Sequence, residues 1–151
     1  MLSGPGQPAE PATTSPPCAD RGMPPVDERP GQLVCVVEDD PGVRDSLDMM
    51  LEAHGFTVDT HVSGGDFLAD HRPRRIACLI VDYDMPAMTG LDVVAALQRQ
   101  RITVPTILVT AALAPAIAQH ASQLGVTAVL EKPFAAARLV ELVRAAIGGA
   151  R

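Results

Sequence analysis

Hydrophobic and polar positions follow two rhythms along this chain, and the change from one to the other recurs five times. Each time a short, continuous apolar run gives way to a longer stretch with apolar residues at helical spacing. Leu33-Val34-Cys35-Val36-Val37 is the first run, and it stops at Glu38-Asp39-Asp40. Asp40-Pro41 then reads as an N-cap followed by proline at the first helical position. Val43, Leu47, Met50 and Leu51 recur at i, i+4, i+7 and i+8, which predicts a helix that Gly55 ends. Further strands are predicted at Phe56–His61, Ile76–Val81, Pro105–Val109 and Val126–Leu130. Ser63 to Asp66 reads as a capped start for a helix carrying Phe67 and Leu68, and Thr89 to Asp92 as the cap of one reaching about Gln100. Two more helices are predicted from about Pro115 to Leu124 and from Phe134 to Ile147, the latter with Leu139, Leu142, Val143 and Ala146 inward.

Strands that are apolar throughout, each followed by a helix, call for an α/β fold: a doubly wound parallel sheet covered on both faces. Ligands of such folds bind at the carboxyl ends of the strands. Glu38 and Asp39 follow the first strand, Asp82 the third, Thr110 the fourth, and Lys132 comes just after the fifth. Three carboxylates that close would repel one another unless a cation shared the site. Hard oxygen donors suit Mg²⁺, which takes further ligands from phosphate oxygens and water. A hydroxyl and an ammonium opposite them would hold phosphoryl oxygens. The group therefore reads as a Mg²⁺-assisted phosphoryl-transfer site with a carboxylate nucleophile.

Composition narrows the picture. Lys132 is the sole lysine among twelve basic residues, so this position carries a compact ammonium where the rest of the chain uses the planar guanidinium. Residues 1–31 hold eight of the fourteen prolines and four of the twelve glycines, and are expected to form a disordered tail. Residues 32–148 form the folded domain, and 149–151 a short tail. A net charge of -6 and a pI near 5.0 argue against direct nucleic-acid binding. Arg72, Arg74 and Arg75 read as a solvated loop. No apolar run is long enough to span a membrane, and no secretory signal is read at the start, so a cytoplasmic location is expected. Cys18, Cys35 and Cys78 have neither disulfide nor zinc spacing, and the last two should be buried thiols. His54, His61, His71 and His120 read as surface residues.

Four segments in order resemble the response-regulator receiver domain, of the type found in FixJ-like transcription regulators. They are Val36-Val37-Glu38-Asp39-Asp40, Val81-Asp82-Tyr83-Asp84-Met85-Pro86-Ala87-Met88-Thr89-Gly90, Ile107-Leu108-Val109-Thr110-Ala111 and Leu130-Glu131-Lys132-Pro133-Phe134. The resemblance implies a flavodoxin-like sheet of strand order 2-1-3-4-5 with five helices. It makes Asp82 the phosphorylation site, with Thr110 and Lys132 as its catalytic companions. It also implies Mg²⁺ held by Glu38, Asp39, Asp82 and the backbone carbonyl of Asp84. Thr110, the Ala111 N–H and Lys132 would bind the phosphoryl oxygens, and the Lys132–Pro133 bond would be cis. The phosphoryl donor would be a sensor histidine kinase or a histidine phosphotransfer protein.

The family's switch pairs Thr110 with an aromatic residue at position 129, where this chain has Val129. A valine cannot make the ring rotation, so the switch is expected to run mainly through the Thr110–Ala111 loop. Two other functions compete. An interaction domain independent of phosphorylation would be expected to have lost Asp82, Lys132 or the acid pair, and none is lost. Asp82-Tyr83-Asp84 also resembles the nucleophile motif of haloacid-dehalogenase-type phosphatases, but Pro86 stands where that family has Thr or Val. The expectation is a signalling domain, not an enzyme acting on other substrates.

Overall fold

The computed structural model describes residues 33–70 and 75–149. The expected tail at 1–31, Cys18, His71, Arg72 and Arg74 lie outside the described residues. Five strands and five helices alternate: β1 (Leu33–Val37), α1 (Pro41–Ala53), β2 (Thr57–His61), α2 (Gly64–Ala69), β3 (Cys78–Asp82), α3 (Gly90–Arg99), β4 (Thr106–Thr110), α4 (Pro115–Gln123), β5 (Ala128–Glu131) and α5 (Ala136–Gly149). Every strand pairing is parallel, in the order β2-β1-β3-β4-β5. This is the expected doubly wound sheet of order 2-1-3-4-5.

Alternation along each strand sends side chains to two separate cores. Val34, Val36, Ile80, Ile107 and Val109 meet Leu47 and Leu51 of α1 and Leu139 and Val143 of α5. Cys35, Val37, Leu79, Val81 and Leu108 meet Phe67 of α2, Leu91 and Leu97 of α3, and Ala121 of α4. Both thiols, Cys35 and Cys78, are buried as expected, and burial pushes Cys78 up to about 12. Central strands β1, β3 and β4 are buried along their whole length, whereas edge strands β2 and β5 are mostly half-exposed.

Helix starts follow the capping chemistry of the sequence. The Asp40 carboxylate accepts from Gly42 and Val43 N–H, and the Ser63 hydroxyl from Asp66 N–H. Thr89 and Asp92 form a full capping box. Helix α4 differs: Ala114 stands at its N-cap, with no side-chain bond. Strand limits move by one or two residues from the expected ones. β3 begins at Cys78, not Ile76, and β5 runs from Ala128 to Glu131.

One expectation is corrected. His61 is not a surface residue: only 8% of it is exposed. It ends β2, where the ring packs edge-on against Phe67 at 5.2 Å and Nε2 lies 3.3 Å from the Asp59 carboxylate. Composition could not reveal this, because burial at a strand end depends on which helix covers it. Arg75, His54 and His120 are exposed as expected.

Candidate functional site

The parallel sheet brings Glu38, Asp39, Asp82, Thr110 and Lys132 to one end, as the sequence reading requires. Two acids are set deep: Glu38 is 2% exposed and Asp82 3%. Glu38 directly follows the buried run of β1, and its Oε2 accepts from the Asp40 N–H at 3.2 Å. Arg44, one turn into α1, donates to the Glu38 backbone carbonyl at 2.8 Å. Asp82 is the last residue of β3. Gly90 lies against it: a Cβ there would fall 2.8 Å from the Asp82 carbonyl oxygen and 2.7 Å from Leu108. Only glycine lets α3 start this close to the acidic strand end.

Lys132 spans the two acids, with Nζ 3.3 Å from Asp82 Oδ1 and 3.4 Å from Glu38 Oε1. The Lys132–Pro133 bond is cis. One ammonium cannot balance two buried carboxylates. Burial first, and then the Asp82 charge, pushes Glu38 up from 4.5 to about 7. Burial also raises Asp82, although Lys132 and the Asp84 N–H oppose the shift. Burial alone would lower Lys132, but Asp82 and Glu38 outweigh it and hold the ammonium above its ordinary value.

The oxygens of Glu38, Asp39 and Asp82 come within 4.8 Å of one another. Octahedral Mg²⁺ places its ligand oxygens about 2.9 Å apart when adjacent and about 4.2 Å when opposite, so three such carboxylates fit one ion. Asp82 Oδ1 is buried with no hydrogen-bond partner, since Lys132 is within ion-pair distance but off the hydrogen-bond line. A cation would satisfy that oxygen. A second group, Cys35, Asp59 and His61, is equally close. It sits on the β1–β2 pair, where Phe67 seals the His61 ring into the core.

Thr110 ends β4 and is fully buried. Its hydroxyl donates to Asp84 Oδ2 at 3.2 Å, and the Ala111 N–H donates to the same oxygen at 2.7 Å. The two donors expected to face a phosphoryl group thus converge on one carboxylate oxygen. The family resemblance gives Asp84 a role only through its backbone carbonyl, and this side-chain contact is not foreseen by it. Glu131, also unforeseen, accepts from the Leu113 N–H at 3.1 Å and ties β5 to the loop before α4. Val129 is half-buried and packs against the α3–α4 side of the core.

The response regulator receiver domain family matches residues 34–144 of this chain. The chain belongs to that family. It is 35% identical over 115 residues to the transcriptional regulatory protein FixJ of Azorhizobium caulinodans, covering 76% of this chain and 54% of that protein. FixJ of Rhizobium meliloti is 34% identical over 113 residues, with 75% and 55% covered. The chain therefore spans about half the length of these relatives. Among solved structures, FixJ-N superposes with a TM-score of 0.72 at 33% identity, covering 77% of this chain and 93% of that one. The chemotaxis protein CheY4 of Vibrio cholerae gives 0.70 at 29% identity, with 76% and 97% covered. This receiver is thus a two-component signalling domain of flavodoxin-like fold. Among the described residues no helix is long and apolar enough to cross a membrane.

Proposed function

We propose that the domain accepts a phosphoryl group on Asp82 from the phosphohistidine of a sensor kinase or a histidine phosphotransfer protein. A carboxylate oxygen of Asp82 forms the new P–O bond as the P–N bond to imidazole breaks, and the histidine leaves with the electron pair. Lys132, already beside Asp82, would hold one phosphoryl oxygen, and Thr110 with the Ala111 N–H would hold another. Glu38, Asp39, Asp82 and the Asp84 carbonyl would bind Mg²⁺, which would supply charge neutralisation as the two anions meet. The reading rests on one observation above all: a buried aspartate bracketed by an acid pair and the only lysine. Two buried carboxylates sharing one ammonium leave negative charge that a bound cation would offset.

Incubation with acetyl phosphate and Mg²⁺ should add one phosphoryl group, seen by intact-protein mass, and Asp82→Asn should remove it. Stoichiometric acid-labile labelling that survives the substitution would place the acceptor elsewhere. The cytoplasm fits a receiver fed by a kinase. The signal would leave through residues 110–118, since Val129 is β-branched and small.

A further inference from the structure

Two donors that point at one atom define an anion site, and here the atom belongs to the protein. Thr110 Oγ1 and the Ala111 N–H both address Asp84 Oδ2, at 3.2 and 2.7 Å. The shorter bond is in the range of charge-assisted hydrogen bonds to a carboxylate. Asp84 reaches them from the turn after β3, where Met85 N–H closes back on the Tyr83 carbonyl at 3.0 Å. The remaining cation is also engaged, because Lys132 lies between Asp82 and Glu38. In this state every group proposed to bind a phosphoryl oxygen already has a carboxylate from the same chain.

We propose that the Asp84 carboxylate is the resting occupant of the phosphoryl-oxygen position, so that phosphorylation exchanges one anion for another on Thr110 and Ala111. The proposal rests on the phospho-acceptor reading of Asp82. It makes Asp84 a positioning residue that sets the barrier to phosphorylation and competes with the phosphoryl group afterwards. No bond to Asp84 forms or breaks covalently. Asp84 is an exposed residue and belongs to neither core, so its carboxylate can leave Thr110 and Ala111 without repacking either one. The loop before α4 is thus closed on an anion before any phosphate arrives. The change that a partner reads is a difference between two anions, with Asp84 released as part of it.

A tie that merely orders the loop would behave differently from a competitor, and two substitutions separate them. Asp84→Ala removes both charge and acceptor, whereas Asp84→Asn keeps an acceptor oxygen without the charge. Phosphorylation by acetyl phosphate with Mg²⁺ should accelerate roughly tenfold in Asp84→Ala, a change of about 1.4 kcal/mol in the barrier. Asp84→Asn should fall between Asp84→Ala and the parent. Hydrogen exchange at the Ala111 amide, read by NMR in the unphosphorylated protein, should quicken in Asp84→Ala. Equal acceleration in both variants would reduce the effect to charge repulsion and overturn the exchange. An unchanged or slower rate in Asp84→Ala, or unchanged Ala111 protection, would overturn it as well while leaving Asp82 as acceptor. Absence of Asp82-dependent label in the parent chain would instead sink the phospho-acceptor reading, and this proposal with it.

Discussion

Strands β3 and β5 flank the same strand, β4, and both deliver a charged residue to the site, yet they are held in opposite ways. β3 is buried from Cys78 to Asp82, and the adjoining α3 has a full capping box and six buried residues. β5 is half-exposed, Glu131 at its end is exposed, and the adjoining α4 has no N-cap bond and buries only Ala121. The Asp82 carboxylate, the proposed acceptor, therefore sits on the stiff part of the sheet. Lys132, and the loop that carries Thr110 into α4, adjoin the more lightly packed β5 and α4. A receiver needs both, because chemistry requires fixed geometry and signalling requires something that yields.

The contrast breaks most directly at one pair of neighbours. Leu108 and Val129 face each other across β4 and β5, with Leu108 fully buried. Leu108→Ala should cost about 2–5 kcal/mol in urea unfolding, and Val129→Ala about 1 kcal/mol or less. Beryllofluoride shift mapping of Val129→Ala should still concentrate at residues 110–118. Equal costs, or loss of those shifts, would mean that β5 is as tightly built as the central strand β4 beside it.

A second measurement asks where electrostatic strain is stored. Glu38, on the stiff side, is raised from 4.5 to about 7 by burial and by Asp82. The folded protein then binds a proton more tightly than the unfolded chain. Its contribution is full below about pH 4.5 and is lost as pH rises through about 7. Without metal, Tm should therefore fall across that interval, and Mg²⁺ should restore stability most at the upper end. A metal-free Tm that rises across the same interval would contradict the assignment.

The smallest effect concerns helix starts. Asp40→Ala should cost about 1 kcal/mol by removing the two bonds that cap α1, whereas Ala114→Ser should stabilise by about 0.5–1 kcal/mol by giving α4 the cap it lacks. If Ala114→Ser is neutral while Asp40→Ala is costly, the looseness of α4 has another origin.

The difference between these regions also marks what could be read from sequence. Leu33–Val37 and Thr89–Asp92 announce themselves, since an apolar run and a capping box are local patterns whose partners lie within a few residues. The acid pair, Asp82, Thr110 and Lys132 were legible because a parallel sheet must place all strand ends together. The Asp84 side-chain contact was not, because that carboxylate bonds residues 26 and 27 positions away, and no local pattern reports such a contact. His61 failed for the related reason that Phe67, not its own strand, decides its burial.

The short segment between β4 and α4 is fastened at both ends to the same neighbour. The Lys132 N–H grips the Thr110 carbonyl at 2.8 Å, and the Glu131 carboxylate grips the Leu113 N–H at 3.1 Å. A span pinned twice to one strand cannot slide along it; it can only pivot about the line joining the pins. Any push on Thr110 is then turned into rotation of the first turn of α4. The two pins are unequal, since one is a backbone bond just past the end of β5 and the other ends on an exposed carboxylate, which dissolved ions can weaken. Ionic strength would thus set the stiffness of this pivot without touching Asp82.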